Sequence, residues 1–370
     1  MKKNICVIPG DGIGPEVIEQ GLKVLDAIAE RFDHDFDYCH ADMGGVAIDK
    51  FGTALPEATV EACERADAIY FGAIGDPKYD NDPNAKVRPE QGLLALRKTL
   101  GLYGNIRPVT AYPSMLEHSP LRPDRIDGVD FVIYRELTGG IYFGEKGRSE
   151  DGKSAFDTCS YSVGEIERIA TLAFKAAQKR RKKLTLIDKA NVMETSRLWR
   201  ETIQRMAKDY TDVEVNFMFV DNAAMQMILY PKQYDVIVTS NMFGDIISDE
   251  ASVIAGSMGL LPSASVGAKT SLFEPIHGSY PQAAGMNTAN PIATVLSGAM
   301  LLESLEMHEE AKVIRAAVEK TLTEGIGTPD LQPKIEYTCS QMGDLLASIV
   351  AEKDLDLHSE DLEDSVSTII

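Results

Sequence analysis

Short β-forming runs alternate with longer amphipathic segments along most of the chain, and this alternation limits the possible folds more than any other feature. Residues 16–31 carry apolar side chains at helical spacing, which predicts a helix directly after the first apolar run. Strands are predicted at residues 5–8, 36–39, 68–71, 131–135, 184–187, 215–220 and 236–239. Strands that alternate with helices are typical of α/β proteins, in which helices flank a parallel or mixed sheet. We therefore predict an α/β fold.

Several predicted strands are followed at once by polar residues. These motifs are Gly10-Asp11-Gly12, Arg135-Glu136, Asp188-Lys189, Asp221-Asn222 and Ser240-Asn241. In open α/β sheets, ligands bind at the carboxyl ends of the strands. The sequence therefore predicts that functional residues collect at one edge of the sheet.

Two aspartates, Asp245 and Asp249, stand four residues apart in a segment that is otherwise mostly small and apolar. Side chains at this spacing share one helix face, about 5–6 Å apart, so both carboxylates can reach one hard cation. Oxygen ligands favour Mg²⁺ or Mn²⁺ over Zn²⁺, which prefers His and Cys. Asp221, which closes the predicted strand at 215–220, would supply a third carboxylate. The alternative is a solvated helix face that binds no metal.

The chain has 370 residues and a formal net charge of −20. Because single cores rarely grow beyond about 250–300 residues, this length predicts two domains. The negative charge argues against binding to nucleic acid or to anionic membranes, which require a basic surface. It also repels anionic substrates at long range, so an acid substrate would have to be held by local arginines.

Three arginines lie at the ends of predicted elements or in the loops between them. They are Arg97, Arg107 and Arg135. The guanidinium fork is the preferred partner of a carboxylate, so three such residues could bind a dicarboxylate. The alternative for each of them is an ordinary surface ion pair.

Two further residues could transfer protons. Tyr142 lies in the glycine-flanked segment 138–144, where small neighbours permit a ligand to approach closely. Lys189 follows the apolar strand at 184–187, and partial removal from water favours its neutral form and suits it to act as a base. The alternatives are a tyrosine at the edge of the core and a surface lysine paired with Asp188.

A glycine-rich motif, Gly10-Asp11-Gly12-Ile13-Gly14-Pro15, follows the first strand and opens a helix. Its spacing differs from the dinucleotide-binding fingerprint, and no acidic residue closes a second strand at the expected distance. We therefore predict only a tight strand-to-helix turn near a ligand.

Neither the cysteines nor the N-terminus indicates export. The five cysteines are widely spaced and lack a C-x-x-C motif, which predicts free thiols in a reducing compartment. The N-terminal apolar run is too short for a signal peptide, and no segment approaches the roughly 18 apolar residues of a membrane span. We expect a cytoplasmic protein.

Two charged segments have simple structural explanations. The basic run at 179–183 resembles a targeting signal in composition, but we expect it to close a helix at 164–181, where cations suit the helix dipole. The acidic segment at 352–364 predicts a polar terminal helix or tail.

Several long motifs, in order along the chain, are similar to those of a known family. They are the segments 138–144, 188–192, 241–260 and 274–279. From Gly10 to about Asp330 the chain resembles the decarboxylating dehydrogenases of 2-hydroxy acids, which include isopropylmalate and isocitrate dehydrogenases. The resemblance implies a two-domain fold that is not Rossmann-like. Residues 1–102 plus 256–370 would form the cofactor-binding domain, and 103–255 a central domain with the dimer interface and the metal and substrate site.

The resemblance also implies a metal-dependent reaction in a shared active site. In this family NAD(P)⁺ takes a hydride from C2 of the hydroxy acid, and the resulting 3-carboxy-2-keto acid loses CO₂. Asp221, Asp245 and Asp249 would hold Mg²⁺ or Mn²⁺, which chelates the 2-hydroxyl and the C1 carboxylate. The protein would be a homodimer in which Lys189 and Asp221 come from the second subunit.

By the same resemblance, the remaining candidates take defined roles. Lys189 would relay the proton of the hydroxyl group, and Tyr142 would protonate the enol formed after loss of CO₂. Arg97, Arg107 and Arg135 would bind the substrate carboxylates.

Substrate choice in this family depends on the segment after Arg88. Isocitrate-using members carry Ser and Asn there, whereas this chain has Leu93 and Leu94. An apolar wall suits an isopropyl group and rejects an unpaired carboxylate, and Val192 adds to it. The resemblance thus implies 3-isopropylmalate and a role in leucine biosynthesis. The alternatives are isocitrate, homoisocitrate, tartrate or malate, a helix-core role for the leucines, and a catalytically silent regulatory subunit, which the complete reactive set argues against.

The cofactor positions follow from the same resemblance. Glu90 and Asn191 would lie near the nicotinamide. The remaining cofactor residues would be His277, Gly278, Ser279, Gln282 and Asn290, with Ile13 packed on the adenosine. Gln282 replaces the aspartate that NAD-using members usually carry, but no cation is present for a 2′-phosphate, so NAD⁺ is expected.

Overall fold

The computed structural model describes residues 1–80 and 86–352 of the chain. Its strands are β1 (Lys2–Gly10), β2 (Asp35–His40), β3 (Ala68–Ala73), β4 (Gly104–Thr110), β5 (Asp130–Glu136), β6 (Lys146–Arg148), β7 (Ala155–Asp157), β8 (Lys183–Asp188), β9 (Glu214–Phe219), β10 (Val236–Thr239), β11 (Pro262–Val266), β12 (Ser271–Pro275), β13 (Ile326–Gly327) and β14 (Ile335–Glu336). Its α-helices are α1 (Gly14–Phe32), α2 (Gly45–Phe51), α3 (Glu57–Arg65), α4 (Pro77–Asp80), α5 (Pro89–Thr99), α6 (Pro123–Ile126), α7 (Val163–Lys179), α8 (Glu194–Met206), α9 (Val220–Leu229), α10 (Asn241–Ser252), α11 (Ile292–Ser304), α12 (His308–Thr323) and α13 (Cys339–Ala351).

A sheet of ten strands, in the order β2-β1-β3-β12-β11-β4-β5-β10-β8-β9, runs through the molecule. The pairs of β11 with β12, β11 with β4, and β4 with β5 are antiparallel, and the other six pairs are parallel. The sheet is therefore mixed, and the predicted α/β class and all seven predicted strands are confirmed.

One predicted boundary is shifted by a residue, and the shift affects a candidate ligand. The strand predicted at 215–220 ends at Phe219, and Val220 already begins α9. Asp221 therefore lies in the first turn of a helix, where its charge interacts favourably with the helix dipole.

Helices cover both faces of the sheet because side chains alternate along each strand. On β5, Tyr134 packs with Phe174 of α7 and Trp199 of α8 in one buried cluster. Ile133, the next residue, packs with Ile247 of α10 in a second cluster on the other face. Burying each such large side chain stabilises the fold by about 1.5–3 kcal/mol.

The strand order separates the chain ends from the middle. The first five strands of the order come from residues 2–73 and 262–275, and the last five come from residues 104–239. The two groups meet where β11 pairs with β4, with Ala264 opposite Ile106. The predicted division at 102 and 256 falls between these groups, and the assignment of two domains stays a prediction.

The glycine-rich motif forms a tight turn between β1 and α1, as predicted. Gly12 has a φ of +58°, and a Cβ there would lie 2.0 Å from the carbonyl oxygen of Ser279. Asp11 accepts hydrogen bonds from the backbone N–H groups of Gly45, Val46 and Gly75 at 2.9–3.0 Å. The turn is thereby fixed against two other loops.

The basic run closes a helix, as the sequence predicts, but the predicted end at residue 181 is wrong by two residues. Helix α7 ends at Lys179 and β8 begins at Lys183. Arg180 is 2% exposed and donates to Asp235 at 2.8 Å and to Asp130 at 2.7 Å. Buried charges of this kind need partners, so Arg180 ties α7 to the sheet.

The remaining sequence predictions concern the cysteines, membranes and the C-terminal tail. All five cysteines are free. Among the helices in residues 1–80 and 86–352, none is long and apolar enough to cross a membrane. The prediction for the acidic segment 352–364 lies outside the described residues, apart from Glu352.

Candidate functional site

Tyr142, Arg135 and Asp245 meet beside the carboxyl end of β5. The hydroxyl of Tyr142 donates to Asp245 Oδ2 at 2.7 Å, and Arg135 Nη1 donates to Asp245 Oδ1 at 2.5 Å. Arg135 is the second-last residue of its strand, and only 6% of its side chain is exposed. Asp245 lies 103 and 110 residues from Tyr142 and Arg135 in sequence, yet its carboxylate forms one cluster with their phenol and guanidinium groups.

The second aspartate of α10 has its own arginine. Arg107 Nη1 donates to Asp249 Oδ1 at 2.9 Å and to Ser248 Oγ at 2.7 Å, while its Nε donates to Asn105 at 2.8 Å. Asp249 is 67% exposed, whereas Arg107 is only 15% exposed. Both aspartates thus lie on one face of a real helix, as the four-residue spacing predicts.

The three predicted arginines are close enough to affect one another. Burial and the positive charges of Arg107 and Arg97 together lower the pKa of Arg135 to about 10, although the charge of Asp245 opposes the shift. Three guanidinium groups gathered in one place attract a polyanionic ligand strongly. The three arginines thus lie near one another, and their joint binding of a substrate stays a prediction.

Arg97 is held differently from the other two. Its Nη2 donates to Glu274 Oε1 at 2.7 Å, and the two side chains are 14% and 10% exposed. The pair is thus mostly buried, unlike the surface ion pair considered as the alternative. The Nε of Arg97 is buried and has no hydrogen-bond partner among the described residues, so it can still donate to a ligand.

Lys189 and Asp221 form a separate pair. Lys189 Nζ lies 2.7 Å from Asp221 Oδ1, and the hydrogen bond from Lys189 lowers the pKa of Asp221. No group of three or more His, Cys, Asp or Glu side chains is arranged to hold a metal ion among the described residues of one chain. Asp221 therefore does not join Asp245 and Asp249 within a single chain.

The donor chemistry of the α10 face fits a hard divalent cation. Asp245 and Asp249 offer carboxylate oxygens at one helix face, and both are partly exposed. Carboxylate oxygens are the ligands that Mg²⁺ and Mn²⁺ prefer, and Mg²⁺ usually keeps several waters or substrate oxygens beside only one or two protein carboxylates. The residues present therefore suit such an ion.

The environment of Tyr142 keeps its proton in place. Burial, together with the hydrogen bond to Asp245 and the negative charge of that carboxylate, raises the pKa of Tyr142 to about 12. Arg135 opposes the shift, and its guanidinium carbon lies 5.9 Å from the centre of the ring. Tyr142 is therefore a proton donor at neutral pH.

A second group of predicted residues gathers around the glycine-rich turn. The N–H of Ile13 donates to the carbonyl of Ser279 at 2.8 Å. Glu90 Oε1 and Ser279 Oγ both approach Gly75, where an added Cβ would lie 3.1 and 3.2 Å from them. The Ile13 side chain is only 4% exposed and packs in a small buried cluster.

His277 and Asn290 share a neighbour that the sequence did not indicate. Asn290 Nδ2 donates to Asp330 at 3.1 Å. Burial lowers the pKa of His277, and the negative charge of Asp330 partly offsets this shift. His277 Nδ1 contacts the carbonyl of Gly278 at 3.0 Å, while its buried Nε2 has no partner in the described part of the chain. An unpaired buried nitrogen fits a hydrogen bond to a cofactor.

The apolar residues expected to select the substrate have different environments. Leu93 is 8% exposed and packs in the core beneath α5, whereas Leu94 is 42% exposed. Val192 is 65% exposed. Asn191, Gly278 and Gln282 are also exposed. Leu93 thus packs in the core. Of the three apolar residues expected to contact the substrate, Leu94 and Val192 are accessible from solvent.

An apolar surface lies beside the candidate site. It is formed by Met225, Ile228 and Leu229 of α9, with Ile246 of α10 and the adjacent Val253, and each is at least 38% exposed. Ile246 sits between the two aspartates in sequence. Exposed apolar residues that cluster on neighbouring helices are typical of interaction sites, so this helix-pair surface is a candidate interface.

Two asparagines orient the arginines of the site, a role that the sequence did not indicate. Asn241, which is fully buried, accepts from Nε and Nη2 of Arg135 at 3.1 and 2.9 Å and donates to the carbonyls of Leu137 and Gly139. The sequence placed Asn241 among the polar residues that follow a strand, but not beside Arg135. Asn105, two residues before Arg107, lies on the same face of β4, which is a period-two signal.

The family model described as isocitrate/isopropylmalate dehydrogenase matches residues 4–346. A 3-isopropylmalate dehydrogenase from Bacteroides fragilis is 55% identical, with 90% of this chain and 94% of the relative covered. A 3-isopropylmalate dehydrogenase from Priestia megaterium is 53% identical, with 95% and 96% covered. Among solved structures, an isocitrate dehydrogenase from Methylococcus capsulatus is similar, with a TM-score of 0.84 at 32% identity, and 95% of this chain and 100% of that chain are covered.

Proposed function

Because this chain belongs to the isocitrate/isopropylmalate dehydrogenase family, as its motifs predict, we propose that it oxidises and decarboxylates 3-isopropylmalate to 4-methyl-2-oxopentanoate with reduction of NAD⁺. This reaction belongs to leucine biosynthesis. The observation that carries the proposal is the cluster in which Tyr142, Arg135 and Arg107 meet the carboxylates of Asp245 and Asp249. Relatives that carry this activity by name share more than half of their aligned residues with the chain.

The metal site would be completed across a dimer. Asp245 and Asp249 would hold Mg²⁺ or Mn²⁺ together with Asp221 of a second subunit, and the bound ion would polarise the hydroxyl and carboxylate oxygens of the substrate. Two observations support a homodimer. Asp221 and Lys189 form a pair of their own, and the helix-pair surface exposes five large apolar side chains beside the aspartates.

The arginines would hold the substrate by its two carboxylates. Arg107 and Arg135 donate to the aspartates of α10, so these guanidinium groups already point at the proposed reaction centre. Arg135 is fixed by Asn241 and Arg107 by Asn105, which limits the freedom that each would lose on binding. Arg97 would be the third arginine to donate to the substrate, through its buried Nε, which has no partner among the described residues.

Proton transfer would be shared by Lys189 and Tyr142. Lys189 would take the proton of the substrate hydroxyl as the hydride leaves C2 for NAD⁺. Tyr142, whose proton is retained at neutral pH, would donate to the carbon that loses CO₂. Both residues and all three aspartates are present, which disfavours a catalytically silent subunit.

The cofactor is proposed to be NAD⁺, bound between the glycine-rich turn and the segment from His277 to Asn290. The unpaired Nε2 of His277 and the contact between Ile13 and Ser279 support this position. Gln282 is exposed and can bond a ribose hydroxyl, and it offers no positive charge to a 2′-phosphate.

We further propose that the chain divides into two domains at residues 102 and 256. From the five free cysteines we also propose a cytoplasmic location.

A substrate-by-cofactor activity matrix tests the proposed reaction. With Mg²⁺ and NAD⁺, kcat/KM for 3-isopropylmalate is expected to exceed that for isocitrate by about 10³-fold or more, because the apolar wall at Leu94 leaves an extra carboxylate unpaired. Activity with NAD⁺ is expected to exceed that with NADP⁺. The Leu94→Ser variant should lower the ratio of kcat/KM for 3-isopropylmalate to kcat/KM for isocitrate. Equal turnover of isocitrate, homoisocitrate, tartrate or malate by the unaltered enzyme would contradict the proposal.

The role of Tyr142 is tested by its pH dependence. Because its pKa is raised to about 12, above the usual value near 10, Tyr142 stays protonated up to at least about pH 10 and loses its proton only as the pH rises further. The wild-type rate should therefore show no alkaline limb from Tyr142 below about pH 10. Tyr142→Phe is expected to lower kcat about 10²-fold at every pH in this range. Unchanged kcat in Tyr142→Phe would remove Tyr142 from the mechanism.

A further inference from the structure

A cleft of about 370 Å³ opens on the sheet face opposite to the arginine cluster. Its lining includes Tyr103, Ile106, Leu172, Lys175, Lys179 and Val266. On β4, Ile106 faces this cleft while Arg107, the next residue, faces Asp249. Since neighbouring side chains of a strand point to opposite faces, the cleft lies behind the proposed active site and is separate from it.

The walls of the cleft are largely apolar. Ile106 is 1% exposed and Val266 is 6% exposed, and Leu172 and Tyr103 pack against the same core cluster. The volume falls in the range of about 300–1,000 Å³ that is usual for small-molecule sites. An apolar cleft of this size can therefore enclose the body of a small organic ligand.

The charge at the cleft is positive although the chain as a whole is strongly acidic. Lys175 and Lys179 stand one helical turn apart on α7, and both line the cleft. No aspartate or glutamate is among the lining residues of the cleft, and neither lysine has an ion-pair partner in the part of the chain that the structure describes. By contrast, Arg180, the next residue, is bonded to Asp130 and Asp235.

We propose that this cleft is a second ligand site, which binds a small organic anion with an apolar body. The anionic group would lie between Lys175 and Lys179, and the apolar body would pack against Ile106, Leu172 and Val266. The proposal is independent of the reaction at the other face of the sheet. It also explains why two of the lysines on α7 face an apolar cleft without a protein carboxylate beside them.

The cleft is expected to remain accessible in the proposed dimer. Helix α7 packs on one face of the sheet with Tyr134 and Phe174, whereas α9 and α10 pack on the other face with Ile133. The helix-pair surface that would form the dimer is on α9 and α10. Dimer formation would therefore leave α7 and the cleft exposed.

The test uses 8-anilinonaphthalene-1-sulfonate, an apolar anion whose fluorescence rises on binding. It is titrated into the full-length protein with saturating NAD⁺, so that the cofactor site is occupied. One bound probe per chain is expected, and the double variant Lys175→Gln/Lys179→Gln should bind it about tenfold more weakly. The matched control Lys208→Gln/Lys232→Gln removes two exposed lysines elsewhere and should bind it as the wild type does.

Two further measurements distinguish the contribution of the lysine charges to probe binding from that of the apolar walls of the cleft. The neutral probe N-phenyl-1-naphthylamine should bind the double lysine variant and the wild type equally. Leu172→Trp, which fills the cleft with a larger side chain, should weaken both probes. The proposal is overturned if the anionic probe does not bind, if NAD⁺ displaces it, or if removal of Lys175 and Lys179 leaves its affinity unchanged in a variant with wild-type melting temperature.

Discussion

The Lys189→Ala variant is expected to lower kcat for 3-isopropylmalate by about 10²–10⁴-fold, the range typical of a lost general acid or base. Lys189 directly follows the buried strand β8, and its Nζ lies 2.7 Å from Asp221. Alanine removes the proposed acceptor of the hydroxyl proton, so the hydride step would have to proceed without a positioned base. The decrease should appear mainly in kcat, because the substrate carboxylates remain bound by arginines.

The matched control for this variant lies on the same strand. Lys183 begins β8, at the opposite end from the site, and Lys183→Ala should keep wild-type kcat. Since Asp221 is 67% exposed, loss of its ion pair should hardly change the melting temperature. A Lys189→Ala enzyme with normal folding, normal Mg²⁺ binding and unchanged kcat would rule out the proton-relay role.

The Asp245→Asn variant is expected to lower kcat/KM by at least about 10³-fold. Asparagine has nearly the same shape, and its single Oδ1 can still accept from Arg135 while its Nδ2 faces the Tyr142 hydroxyl, but it loses the negative charge that is proposed to hold a divalent cation. A catalytic metal ion is worth several kcal/mol of transition-state stabilisation, and each 1.36 kcal/mol corresponds to a factor of ten. The loss should therefore be large even though the fold is preserved.

Metal binding can be measured without activity. Mg²⁺ that binds only the folded protein raises its melting temperature, and this rise should disappear in Asp245→Asn. Glu250→Gln is the control on the same helix, because Glu250 is one position past Asp249 and so points about 100° away from it around the helix. If Asp245→Asn kept both the Mg²⁺-dependent rise and its activity, Asp245 would not be a metal ligand.

Much of the fold could be predicted because most strands carry apolar runs with β-branched or aromatic residues. Of the ten strands in the large sheet, β4, β11 and β12 were not predicted, and the composition of β4 and β11 explains why these two were missed. Strand β4 contains Pro108, which is unusual in a central strand, and β11 reads Pro-Ser-Ala-Ser-Val, with small side chains and only one β-branched residue. These two strands join the two groups of the sheet, so the continuity of the sheet could not be inferred from local patterns.

The sequence indicated side chains of the candidate site, but it did not indicate the residues to which they are hydrogen-bonded. Helical spacing was enough to place Asp245 and Asp249 on one face. The contact of Arg97 with Glu274 joins residues 177 positions apart, and it depends on the strand order that local patterns do not contain. The sequence also did not show which of Leu93 and Leu94 is buried. Adjacent helix positions point to different surroundings, and here Leu93 points into the core and Leu94 points outward.

The central claim is that each active site contains residues from two chains, with Asp245 from one subunit and Lys189 from its partner. Lys189→Ala and Asp245→Asn should each be nearly inactive alone. When the two are co-expressed with different affinity tags, random pairing makes about half of the dimers mixed, and each mixed dimer has one intact site. We expect about a quarter of the wild-type kcat for the mixture and about half for the purified mixed dimer. A mixed dimer as inactive as its parents would contradict the shared site.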